Sequence, residues 1–120
     1  MRAYKPRRAA ARWLEGAPTE VLDIFDAGPA LADRYTVLFG GRYLMRWDDA
    51  APHSPTNTIV PYLALGPNPR SPQGFCQWGE MVAYEAADFR YRSTRQRVAW
   101  GDLPTKVRDV VLYELTDNQE

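Results

Sequence analysis

The chain has 120 residues, 45% of them hydrophobic and 25% charged, with fifteen lysines and arginines against fifteen aspartates and glutamates. That length and balance describe one folded domain whose core needs neither disulfide nor metal, and they exclude wholesale disorder. A net charge of zero excludes a strong whole-protein field for nucleic acid or membrane, and a single cysteine excludes an internal disulfide.

No apolar run approaches the roughly 20 residues that span a bilayer. Ala9-Ala10-Ala11 is cut short by Arg12 and lacks the apolar centre of a signal peptide. The expectation is a cytoplasmic protein with no membrane contact. Charge is nevertheless uneven. Arg2, Lys5, Arg7, Arg8 and Arg12 put five cations and no acid into the first fourteen residues, leaving ten cations against fifteen acids in the rest, a balance of −5.

Residues 1–15 read as a basic arm in which Ala9 to Glu15 favours a short helix if Trp13 docks. Residues 16–116 read as the globular domain and 117–120 as an acidic tail. Glu20 to Ala27 alternates imperfectly and predicts a strand, and Ala27-Gly28-Pro29 predicts a turn. Asp33 to Phe39 predicts a second strand. The Gly40-Gly41 pair then predicts a tight hairpin, with Arg42 to Trp47 returning as its partner. Thr58 to Leu65 predicts a fourth strand, and Pro61 places it at an edge or a bulge.

Gly66 to Glu80 holds three prolines, three glycines and the only cysteine. Pro67, Pro69 and Pro72 rule out a helix or a central strand, while Phe75, Cys76 and Trp78 demand packing. The stretch predicts an ordered loop leading into a short turn or strand, with Cys76 buried between Phe75 and Trp78. Its polar members Asn68, Arg70, Gln73, Gln77 and Glu80 are the first candidates for a site. Met81 to Tyr84 leans to strand, and Phe89 to Trp100 to a strand bent near Ser93-Thr94. Asp102 to Leu115 predicts the longest helix, with Asp102 as N-cap and Pro104 in the first turn. Leu103, Val107, Val110, Val111 and Leu115 give it one apolar face. The fold class is therefore α+β: a single domain with a mainly antiparallel sheet covered by a C-terminal amphipathic helix.

Asp23 to Gly28, Asp33 to Val37, Gly66 to Pro69, Pro72 to Phe75 and Gly79-Glu80 together resemble small uncharacterised proteins of phages and bacterial mobile elements. In that group a similar aspartate-glycine turn precedes a strand like Asp33 to Val37. A basic strand and a helix opening Asp-Leu-Pro close the chain, as Arg97 to Leu115 do here. The resemblance spans roughly residues 21 to 115; it implies a genomic context and no activity.

Asp23, Asp26 and Asp33 carry the oxygen donors a hard cation needs, yet Asp23 and Asp26 fall on opposite faces of an extended strand and no ligand-loop spacing is present. Cys76 and His53 are the only nucleophile–base pair of their kind, and no local signature surrounds either. Arg90, Arg92, Arg95 and Arg97 interleave with Phe89, Tyr91 and Trp100, a pattern that suits either phosphate and base contacts or a solvated strand face. No catalytic residue, metal or cofactor is expected. The leading expectation is a non-enzymatic accessory protein that binds a protein partner through Arg7, Arg8, Arg12, Trp13, Arg90, Arg92 and Arg95. Nucleic-acid binding through the arm and the Arg-rich strand is the first alternative. A small hydrolase or transferase centred on residues 66–80 is the second.

Overall fold

The computed structural model describes residues 12–46, 52, 54, 56–89 and 95–117. Among the described residues, six strands form one sheet: β1 (Val21–Asp26), β2 (Tyr35–Phe39), β3 (Met45–Arg46), β4 (Thr58–Leu65), β5 (Cys76–Val82) and β6 (Gln96–Arg97). Helix α1 (Ala83–Asp88) follows β5, and α2 (Thr105–Asp117) follows β6. Every strand pairing is antiparallel. The order runs β6-β1-β2-β4, with β5 on the far side of β4 and β3 sharing with β2 the near side. The domain is α+β, as its sequence pattern predicts.

The imperfect alternation of β1 has a local cause. A bulge between Val21 and Asp23 inserts Leu22, which joins Phe25 and Leu38 on one face of the sheet. Val21 and Ile24 turn to the other face with Tyr35, Val37, Phe39, Leu63 and Leu65. There they meet Leu103, Val107, Val110, Val111 and Leu115, the apolar stripe of α2. Helix α2 begins at Thr105 and runs through Asp117, so it takes in the first residue of the predicted acidic tail. Asp102 does not cap it. The Asp102 carboxylate accepts from the Ala99 amide at 3.0 Å and closes the preceding turn, whereas the Pro104 carbonyl accepts from Val107 and Arg108.

The Gly40-Gly41 hairpin is not formed. Strand β2 already has β1 on one side and β4 on the other, so no slot remains for a returning strand. Gly41, with φ +61°, instead opens a 3-10 turn to Tyr43. The Tyr43 ring packs 6.0 Å from that of Phe39, and its hydroxyl donates to the Leu115 carbonyl at 3.3 Å. Met45 and Arg46 then pair with Ile59 and Thr58 of β4.

Nor is β4 an edge strand. The Gly66 amide donates to the Phe75 carbonyl at 2.9 Å, so by alternation Val60, Tyr62 and Ala64 also bond towards β5 and Pro61 faces the other side. On that side the β2 register ends at Leu38–Tyr62 and the β3 register begins at Ile59, so the missing donor falls beside Phe39, at the end of the β2 pairing rather than inside it. Strand β5 is also longer than expected. It ends where Glu85 Oε1 accepts from the Val82 amide at 3.3 Å and α1 begins, so Ala83 and Tyr84 are helical rather than extended. Phe89 closes α1 and sets its ring edge-on to Phe25 at 5.1 Å. Between Phe89 and Trp100 the described strand is Gln96–Arg97 alone.

The aspartates of the first hairpin are held by arginines. Asp26 Oδ1 accepts from Arg34 Nε at 2.7 Å and from the Gly28 amide at 2.8 Å, and Oδ2 accepts from Arg34 Nη2 at 3.0 Å. The bond from Arg34 holds the Asp26 carboxyl below its ordinary 3.8. Because the folded value is depressed, the stabilisation is complete above the unfolded value and is lost as pH falls below 3.8 through the folded one. Asp26→Asn should therefore flatten the acid limb of a stability–pH curve below pH 3.8, which denaturant melts across that range measure.

Candidate partner-binding groove

Among the described residues, the two faces of the sheet are covered unequally. Helix α2 spans the first. On the second, α1 brings only Ala83 and Ala86 down onto Leu22, Phe25, Leu38 and Val60. The remaining half is floored by Thr36, Tyr62, Ala64 and Gln77, with Phe89 and Arg95 along one wall. Their strand positions require this arrangement: Thr36 pairs with Ala64, Ala64 with Gln77, and Tyr62 with Gly79, so all share one face. The groove has a volume of about 310 Å³. A Cβ at Gly79 would lie 2.5 Å from the Tyr62 ring, so glycine here lets that ring lie across β5. Arg95 sits 5.5 Å over the Phe89 ring and 3.7 Å from Asp33, giving the groove an ionic wall.

The central loop is built of hydrogen-bonded turns and lies on the other face. Ser71 donates to the Asn68 carbonyl at 3.1 Å, and the Gly74 amide donates to Ser71 at 2.8 Å. A Cβ at Gly74 would come within 2.0 Å of the Asn68 carbonyl oxygen, with Pro69 backbone at 2.9 Å behind it. Gly74→Ala should therefore cost roughly 1–3 kcal/mol through backbone displacement, as overpacking does; urea melts would show it as a lower midpoint. Lys106 Nζ reaches Asn68 Oδ1 at 2.9 Å, and Arg70 stacks 5.2 Å over Tyr113. Asn68, Arg70 and Lys106 line a second hollow, of about 360 Å³, beside the start of α2.

The five loop candidates thus separate. Asn68 and Arg70 share the hollow, Gln77 lies in the groove on the opposite face, and Gln73 and Glu80 line neither. Cys76 is exposed, not buried. Partial burial nevertheless raises its thiol pKa, nearby Glu114 acts in the same direction and Arg70 opposes, so the thiol stays protonated and weakly nucleophilic.

Of the arginine candidates, Arg95 is in the groove. Arg12 is exposed on the turn Arg12–Leu14, and Trp13 beside it is half-buried with the Arg97 guanidinium 4.0 Å over its ring. Arg7, Arg8, Arg90, Arg92 and His53 lie outside the described residues. Arg97 ion-pairs with Asp23 at 2.8 Å, so Asp23, Asp26 and Asp33 are each matched to a different arginine. Among the described residues, no group of three or more histidine, cysteine or acidic side chains is placed to hold a metal ion, and no helix is long and apolar enough to cross a membrane. The sequence reading missed Thr36 and Tyr62 as site residues. Their signal is alternation on adjacent strands, which is informative only once the strand order is known.

No family model, no curated protein and no solved structure matches this chain.

Proposed function

We propose that this chain is a non-enzymatic accessory protein that binds a protein partner in the groove on the second face of its sheet. The observation that carries the reading is the incomplete cover of that face among the described residues, which leaves Tyr62, Phe89 and Ala64 beside Gln77 and the Asp33–Arg95 pair. A mixed floor, with the Tyr62 and Phe89 rings and Ala64 beside the polar Thr36 and Gln77, suits one anchoring side chain of a partner, of leucine or aromatic size, with a polar group next to it. Cytoplasmic location and kinship with the small phage and mobile-element proteins belong to the same proposal, and rest on the features read from the sequence.

The nucleic-acid reading draws less support. Arg95 and Arg97 face Asp33 and Asp23, so half of the Arg-rich segment is matched within the fold. The test is affinity capture from host lysate, with and without nuclease, using the native chain and Gln77→Arg. Gln77 is exposed, so the variant fills the groove without disturbing the core. A protein retained after nuclease and held at least ~10-fold less well by Gln77→Arg, about 1.4 kcal/mol, is the expected result. Capture lost on nuclease treatment would move nucleic acid to first place, and equal capture by both chains would remove the groove from the account.

A further inference from the structure

Strand β5 is the long edge of the sheet. Among the described residues nothing pairs with its outer side, whereas the other terminal strands, β3 and β6, are two residues each. Because Gln77, Gly79 and Met81 bond inwards to β4, the backbone groups of Cys76, Trp78, Glu80 and Val82 point outwards. The Val82 amide is taken by Glu85, which leaves the outward amides of Cys76, Trp78 and Glu80. Edges of this kind are ordinarily blunted by lysine, proline or a bulge. Strand β5 has none of these: its register with β4 runs unbroken over seven pairs, and Glu80 is its single charge.

We infer that this edge pairs with β5 of a second copy of the chain, antiparallel about a two-fold axis at Gly79. This does not depend on the partner-binding reading. Three features favour a second copy. The seven residues are self-complementary in parity, so outward-facing Trp78 meets outward-facing Glu80 and Cys76 meets Val82. Like charges are not opposed, because Glu80 falls opposite Trp78 of the other copy. A net charge of zero sets up no long-range repulsion between copies. Each Trp78–Glu80 pair makes two backbone bonds, and each end makes one, from the Cys76 amide to the Val82 carbonyl. Glycines meet at the centre, where opposed residues approach most closely.

Sedimentation equilibrium of the full chain tests the inference. The apparent mass should rise with concentration towards twice 13.7 kDa. Glu80→Pro removes an outward amide that β4 does not use, and should hold the protein at one chain mass with an unchanged circular dichroism spectrum. A second variant fixes the register independently. Cα atoms of opposed bonded residues lie about 5.5 Å apart, within disulfide reach, whereas six residues along a strand span about 20 Å. Oxidised Val82→Cys should therefore run as a covalent dimer on a non-reducing gel, and the native chain should not. A native chain that stays at one chain mass at every concentration, a Val82→Cys variant that fails to cross-link, or a Cys76–Cys76 dimer of the native chain would each overturn the inference.

Discussion

Arg97→Ala should lower the unfolding free energy by about 3–5 kcal/mol, the cost of removing one partner from a buried ion pair. Asp23 is 2% exposed, and the bulge in β1 holds its carboxylate under the sheet face beside Arg97. Arg97 Nε lies 2.8 Å from Asp23 Oδ1, and the guanidinium is sandwiched by the Trp13 ring at 4.0 Å. Removing the guanidinium leaves a charge in a place that water reaches poorly. Removing both charges is a different matter. The double change Asp23→Leu with Arg97→Met keeps the packing volume and should recover most of the loss. Four denaturant melts completing the double-mutant cycle measure this; a single change that costs no more than a surface substitution would show that the pair does not hold β6 to β1.

Phe39→Ala should cost about as much, roughly 3–5 kcal/mol, against a total stability that for such a domain is about 5–15 kcal/mol. Phe39 is fully buried, and its ring packs 5.1 Å from Trp78 and 6.0 Å from Tyr43. Those two residues are the polar links between the sheet and the end of α2: Trp78 Nε1 donates to Glu114 at 2.7 Å, and Tyr43 donates to Leu115. The cavity left by alanine loosens both. A fall in melting temperature of roughly 10–20 °C follows. Tyr84→Ala, at a residue 52% exposed, serves as the control and should stay within about 0.5 kcal/mol of the native chain.

Where the sequence predicted structure well, local pattern and tertiary demand agreed. The α2 stripe, from Leu103 to Leu115, needed only its 3.6-residue period, and every member is buried. Strands β1, β2 and β4 were legible from alternation in the same way. The Gly40-Gly41 turn failed because a glycine pair states that the chain bends, and not which strand has a vacant edge. Pro61 failed for the complementary reason. Proline is tolerated in a central strand where its missing donor falls at the end of a pairing, and Pro61 lies one residue past the last β2–β4 pair, Leu38–Tyr62. Helix α1 is too short to show a period, and its start depends on Glu85 reaching Val82. The central loop was correctly read as ordered, but its polar residues part to opposite faces because β5 begins at Cys76 and alternates thereafter. The groove was the least legible feature, being built from single residues of non-adjacent segments.

Site-specific photo-crosslinking tests the proposed function most directly. A photoreactive side chain placed at Gln77, inside the groove, is compared with one at Leu112, which is 45% exposed on α2. In host lysate treated with nuclease, the Gln77 probe should join the chain to one discrete protein, and the Leu112 probe should not. A Gln77 probe that captures nothing, or captures the same products as Leu112, would contradict partner binding at this groove.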